Sequence, residues 1–219
     1  FHEAARPVPA SRFHGWFVAT AAALVLLVRL GGPPLWDDDE PKNAACSLAM
    51  LDSGDWVVPT FNGRLRVEKP PLVNWLQMAG FAICGRDETG ARIGSAVLTI
   101  GTCLLTWRIG CLLVGRAAGL LGGLAMATCV WTAVGGRAST PDAPLLFCTT
   151  LALFAFAQGT LGRGGPGTAP PEACRALSLA AAAAIGAACG AAVLAKGPVG
   201  FLLPVAAFAL FALWTGRRE

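Results

Sequence analysis

An adjacent pair of carboxylates, Asp39 and Glu40, followed at once by Lys42, is the first group in this chain able to do chemistry. The pair stands where a helix can begin, and a first helical turn offers unpaired N–H groups that favour negative charge. An ionised carboxylate there could accept a proton from a bound hydroxyl. Glu68 and Lys69 form a second group, fixed in a turn by Pro70 and Pro71; an ammonium in that setting suits a phosphate as a point charge. Asp142 closes the string Arg137-Ala138-Ser139-Thr140-Pro141-Asp142 and opens an apolar run, and Lys196 sits in a Gly-Pro corner between two more. Ionisable residues at the edges of apolar spans are functional candidates. Each also has an ordinary structural role: a solvated acidic helix start, a rim salt bridge, an N-terminal cap and a snorkelling lysine respectively.

The elements that must position these groups follow from composition. The chain is 55% hydrophobic and 14% charged, and its mean hydropathy is +0.59. Soluble domains carry about a quarter charged residues, so the composition is that of a membrane protein. Six apolar runs approach the roughly 17–25 residues needed to cross a bilayer: Phe13–Leu30, Ile93–Val114, Ala117–Val134, Ala143–Leu161, Ala176–Ala195 and Val199–Thr215. The first could be a signal peptide, but no convincing small-residue cleavage site follows Leu30, and a retained helix is expected. The stretch Trp36–Pro71 is polar and acid-rich, and hydrocarbon does not tolerate its Asp-Asp-Asp-Glu cluster. It therefore belongs at the membrane surface.

Two further helices are expected beside that stretch. One runs over Glu40–Ser53, with Glu40 as its cap, Pro41 in its first turn, Ala44, Ala45, Leu48 and Leu51 on one face, and Gly54 and Asp55 ending it. The other covers Leu72–Gly85, with Leu72, Trp75, Leu76, Ala79 and Ile83 at helical spacing; it is too short to span and should lie in the interface plane. Counting spans puts Trp36–Arg92, the Gly135–Asp142 turn and the Lys196–Gly197 turn on one side. Ten of the thirteen carboxylates (all but Glu3, Glu172 and Glu219) then share that side, with Lys42, Lys69, Arg137 and Lys196. The opposite side receives the Gly115–Arg116 turn and the Gly162–Arg175 loop, and its Arg6, Arg12, Arg116, Arg163, Arg175, Arg217 and Arg218 lean toward a cytoplasmic placement.

Other signals are quieter. Gly115, Gly119 and Gly123, and Gly186 and Gly190, repeat at four-residue spacing, as close-packed membrane helices do. Eight cysteines show no CxxC or Cys/His cluster, and only Cys46 and Cys84 are placed to share a polar compartment. Basic residues are scattered, so no nucleic-acid partner is implied. The chain begins at Phe1 and ends just past an apolar run, and is expected to be part of a longer membrane protein.

The string from Asp37 through Leu76, with the Thr-Pro-Asp-Ala-Pro turn and the Ala-Lys-Gly-Pro-Val-Gly-Phe-Leu-Leu-Pro corner, closely resembles the bacterial aminoarabinose transferases. With the protein O-mannosyltransferases, these belong to the GT-C membrane glycosyltransferases. The resemblance implies an all-α membrane protein of GT-C type, with about six transmembrane helices and two interfacial helices in a first exterior loop at 36–92; residues 1–219 would be the N-terminal part of that domain. It implies an inverting transfer from a polyprenyl-phosphate sugar to a lipid (lipid A-like) or protein acceptor, at the periplasmic face of the bacterial inner membrane. Asp39 falls on the family's catalytic aspartate and Asp142 on its second functional acid. Glu40, Lys42, Lys69, Arg137 and Lys196 would contact substrate, and Glu68 matches a position linked to a divalent ion. Asn43 stands where the aminoarabinose enzymes carry an aromatic. The rival reading is a non-catalytic transporter or flippase of a lipid-linked sugar, but transporters place ionisable groups mid-span.

Overall fold

The computed structural model describes residues 12–36, 38–161 and 177–214. Asp37, the expected 162–175 loop, the start of the fifth run at Ala176, and Arg6, Arg217 and Arg218 lie outside them. Nine helices are found among the described residues: α1 (Arg12–Leu27), α2 (Asp39–Ser53), α3 (Leu72–Cys84), α4 (Glu88–Leu113), α5 (Arg116–Thr128), α6 (Val130–Gly135), α7 (Asp142–Leu161), α8 (Leu179–Lys196) and α9 (Val199–Trp214). A two-stranded hairpin, β1 (Thr60–Phe61) and β2 (Arg64–Leu65), lies between α2 and α3. Three of the helices, α4, α7 and α8, are long and apolar enough to cross a membrane; α1, α3 and α9 are apolar and shorter. The fold class is all-α membrane protein.

The longest helix, α4, is the mast of the bundle and packs against α1, α3, α5 and α7. Asp87 starts it by accepting a hydrogen bond from the Gly90 N–H at 2.8 Å, a side-chain N-cap. Helix α1 buries Gly15, Val18, Ala22 and Leu26, a stripe at three- and four-residue spacing, against Trp107 and Ala127. Close crossings depend on missing side chains. A Cβ on Gly80 of α3 would stand 2.1 Å from the Gly90 carbonyl oxygen, and one on Gly119 of α5 would stand 2.7 Å from the Cys111 amide. The small-residue spacing at Gly119 and Gly123 thus marks a true helix crossing. The same spacing at Gly186 and Gly190 does not: among the described residues neither position has any atom within contact range of an added Cβ.

Two local expectations change. The third apolar run, Ala117–Val134, is broken at Cys129, whose backbone is extended (φ −62, ψ 127), so that α5 and α6 are separate helices. The Thr128 hydroxyl donates back to Leu124 O at 2.9 Å, a side-chain bond that loosens the helix just before the break. Helix α2 begins at Asp39, so Glu40 lies inside its first turn and does not cap it; Gly54 ends it with φ +72. Helix α3 buries Asn74 and Gln77 together with Val73, Met78 and Phe81, and leaves Ile83 83% exposed. Beside lipid, hydrocarbon solvates the outer side and only the interior offers partners to the two amides. Cys46 is buried, Cys84 is exposed and both are free, so no bridge joins them.

Gly80→Ala should destabilise the bundle by about 1–3 kcal/mol, because backbone must move to admit the methyl group. Gly186→Ala, in the same assay of thermal unfolding in detergent, should leave Tm undiminished.

Candidate functional site

The polar end of the bundle is organised around Glu40. Its carboxylate is 1% exposed and accepts four hydrogen bonds. Arg92 Nε and the Ser139 N–H reach Oε1 at 2.9 and 2.7 Å, and Arg92 Nη2 and the Trp36 N–H reach Oε2 at 2.7 and 3.1 Å. Arg92, in the second turn of α4, is equally spoken for. Its remaining donors go to Leu30 O (3.2 Å), Pro33 O (2.7 Å) and Pro34 O (2.9 Å), so all five guanidinium N–H groups are used. Burial by itself pushes the Glu40 carboxyl up, but the donors from Arg92, Ser139 and Trp36 outweigh it and hold the group below its ordinary 4.5. The stabilisation is complete above that ordinary value and declines as pH falls through the lowered one.

A neutral network continues from the ion pair. Ser139 Oγ donates to Ala91 O at 2.6 Å and accepts from Gln77 Nε2 at 2.5 Å. Gln77 Oε1 meets Ser47 Oγ, which in turn accepts from Asn74 Nδ2 at 2.9 Å. Asn43 Nδ2 donates to Ser139 O at 3.2 Å, and its Oδ1 accepts from Arg66 Nη1 at 3.0 Å. The residue that departs from the family's aromatic thus joins α2, the 136–141 turn and the hairpin.

Asp39 faces the other way, half exposed on the rim. Its Oδ2 accepts from Lys69 Nζ at 2.5 Å, and Arg66 Nη2 stands 3.9 Å from Oδ1. The Lys69 hydrogen bond, with the charges of Lys69, Arg66 and Lys42, keeps the Asp39 carboxyl below its usual range despite partial burial. The hairpin delivers Arg66. Asn62 and Gly63 take the left-handed turn (φ 51 and 73), Thr60 pairs with Leu65, and the Arg66 N–H returns to Pro59 O at 2.9 Å. The Trp75 indole N–H pins the hairpin's start by donating to Trp56 O at 2.7 Å.

Asp142 and Lys196 form a second ion pair, between the first residue of α7 and the last of α8. Each charge complements the dipole of its own helix end. The pair lies on the rim of an apolar cavity of about 500 Å³ walled by Trp131, Leu146 and Leu203. Because Ser139 binds Glu40 and Asp142 lies three residues on, the two pairs share one end of the bundle.

The other expected residues are placed differently. Lys42 binds Asp38 at 3.0 Å on an exposed flank. Arg137 donates to Val25 O, Val28 O and Arg29 O (3.2, 3.0 and 2.9 Å), closing the carbonyl end of α1. Glu68 is exposed and stands 3.9 Å from Arg66 Nε. No group of three His, Cys, Asp or Glu side chains able to hold a metal occurs among the described residues. The neighbour of Glu68 given by the structure is the Arg66 guanidinium. Sequence reasoning did not single out Arg66, Arg92 or Ser139. A signal for Arg66 existed in the Asn-Gly turn just before it; Arg92 was visible only as a charge near the start of an apolar run.

Residues 68–168 match the family model of the dolichyl-phosphate-mannose-protein mannosyltransferases. The undecaprenyl phosphate-α-4-amino-4-deoxy-L-arabinose arabinosyl transferase of Pseudomonas aeruginosa (strain LESB58) is 32% identical over 209 residues, covering 90% of this chain and 34% of the relative. An uncharacterised protein of Aquifex aeolicus is 34% identical over 181 residues, 83% of this chain and 37% of its own length. The crystal structure of ArnT from Cupriavidus metallidurans bound to undecaprenyl phosphate superimposes with a TM-score of 0.78 at 26% identity, over 93% of this chain and 36% of that one. In sequence and fold the chain is similar to the GT-C aminoarabinose transferases. It spans about a third of the length of these relatives.

Arg92→Ala should cost about 3–5 kcal/mol of stability, because it strands the buried Glu40 carboxylate. Thermal unfolding in detergent measures this, and Arg92→Ala combined with Glu40→Gln should recover part of the loss.

Proposed function

We propose that this chain is the N-terminal, donor-engaging part (residues 1–219) of an inverting glycosyltransferase that takes a sugar from a polyprenyl phosphate. It would act at the periplasmic face of the bacterial inner membrane on a lipid (lipid A-like) or protein acceptor. The observation that carries this reading is the Asp39 carboxylate hydrogen-bonded to Lys69 on the rim of a polar helix end, with Arg66 beside it. The relatives' names, and the undecaprenyl phosphate in the solved structure, support the donor class.

The geometry suggests how these groups would act. The Lys69 ammonium is held by Asp39 and must exchange that partner for the donor's phosphate oxygen. The exchange removes the strongest influence lowering the Asp39 carboxyl, so donor arrival raises its affinity for a proton. An acceptor hydroxyl oxygen then attacks the anomeric carbon and passes its proton to Asp39. The bond from that carbon to the phosphate oxygen breaks, and the leaving phosphate takes the electron pair, stabilised by Lys69 and Arg66. One in-line displacement inverts the anomeric centre. For a phosphate acceptor no proton is removed, and Asp39 would instead stabilise positive charge on the sugar ring.

Asp142 and Lys196 are proposed to border the same substrate space, over the apolar cavity between α6 and α9. Lys42 and Arg137 stand further out, and their contribution is to the field that draws a phosphate to this end. A transporter or flippase reading is not favoured. The ionisable residues of α4, α7 and α8 lie within about two turns of a helix end, whereas carriers place them mid-span.

In the full-length protein, Asp39→Asn should abolish sugar transfer, by at least about a hundredfold for a lost general base, while membrane insertion persists. Normal turnover by that variant rejects the role given to Asp39. Lys69→Ala should weaken donor binding and lower transfer, read by titration with a polyprenyl phosphate; unchanged affinity would count against the phosphate contact. Mass spectrometry of envelope lipids and proteins, with and without the intact gene, identifies the sugar and where it goes.

A further inference from the structure

A second cavity, of about 700 Å³, opens between α1, α4 and α7 at the other end of the bundle. Its walls are apolar and aromatic, with Trp16, Trp107, Phe147 and Phe154 among them, and Arg12 and Arg108 stand at its edge. Sixteen residues of α4 separate Arg108 from Arg92, a rise of about 24 Å. A phosphate lodged here cannot reach Asp39. The cavity is therefore no annex of the site described above.

Its charge is as one-sided as its location. Every Asp and Glu among the described residues belongs to Asp38–Asp55, to Glu68–Glu88 or to Asp142, all of them at the opposite end. Arg108 is held by its own neighbour, with its guanidinium carbon 5.4 Å from the Trp107 ring centroid, a cation–π contact that leaves its N–H groups for a ligand. Trp107 adds an oddity. Its indole N–H is buried and has no hydrogen-bond partner among the described residues, although buried donors are nearly always paired. Aromatic walls and two arginines with no carboxylate partner among the described residues are the chemistry of an anionic, chain-bearing lipid. The glycine at 101 helps to shape the wall, since a Cβ there would stand 2.6 Å from Phe147.

We propose that this groove holds one anionic glycerophospholipid, its phosphodiester between Arg12 and Arg108 and an acyl chain along Trp16, Phe147 and Phe154. The site faces the leaflet opposite to Asp39. It would tie the bundle to anionic lipid on that side and fix α1 against α4 and α7. This reading does not depend on the glycosyltransferase proposal.

Native mass spectrometry of the full-length protein, released from nanodiscs of phosphatidylglycerol or of phosphatidylcholine with the same acyl chains, tests it. Two arginines near one headgroup should favour retention of the anionic lipid by about tenfold. Arg12→Gln with Arg108→Gln should bring the two lipids to parity. Ala19→Trp, which fills the groove and leaves both charges, should lower retention of both. Equal retention of the two lipids by the unsubstituted protein overturns the proposal, as does a preference that survives the double substitution. Displacement of phosphatidylglycerol by equimolar undecaprenyl phosphate would assign the groove to a prenyl carrier and would equally overturn it. Because the first comparison needs no variant, misfolding of a substituted protein leaves the test intact.

Discussion

The buried pair of Glu40 and Arg92 is the constraint on which the polar end rests. Two charges withdrawn from water are costly, and their attraction compensates only when every remaining donor and acceptor is also filled. Here all are. Glu40 takes four hydrogen bonds and Arg92 gives five, and their partners come from the 30–36 segment, α2, α4 and the 136–141 turn. The pair is thus a register pin for four segments, alongside the neutral network and the apolar cluster of Ala44, Phe81 and Ala91. Loss of either partner leaves a buried charge, which is why the arrangement has one solution.

The exposed chemistry follows from that buried one. Asp39 and Glu40 are neighbours on a helix, so their side chains diverge by about 100° and cannot share a pocket. With Glu40 committed inward, Asp39 must face the rim, where Lys69 and Arg66 reach it from a turn and a hairpin. The same pin fixes the 136–141 turn through Ser139, and so sets where Asp142 starts α7 and meets Lys196. The site is a set of loops, but its geometry is dictated by one ion pair and the neutral network of Asn43, Ser47, Asn74, Gln77 and Ser139 behind it. That network keeps polar atoms satisfied at the top of an apolar bundle, where an unfilled donor would be expensive.

Much of this architecture was legible in the chain itself. The apolar runs, the two short helices between Asp39 and Cys84, and the gathering of carboxylates outside hydrocarbon follow from composition and periodicity, which are local. Less visible was the inside of the polar end. Glu40 reads as a helix cap because Pro41 follows it, yet packing draws it into the bundle. Arg137 reads as a ligand contact, yet three carbonyls at the end of α1 take its guanidinium. The break at Cys129 has no proline to announce it, and the buried Asn74 and Gln77 of α3 find their partners only across the polar end.

The amino-acid order alone determined the membrane class, the helical elements and the side of the bundle on which acids and lysines collect, because each depends on the transfer of short segments between water and hydrocarbon. Which acid is buried and which faces the rim was decided by tertiary structure alone. Arg92 lies 52 residues from Glu40 and Lys69 lies 30 from Asp39. No local rule links those positions: only the packing of α2 against α3 and α4 brings one cation to the buried carboxylate and the other to its exposed neighbour.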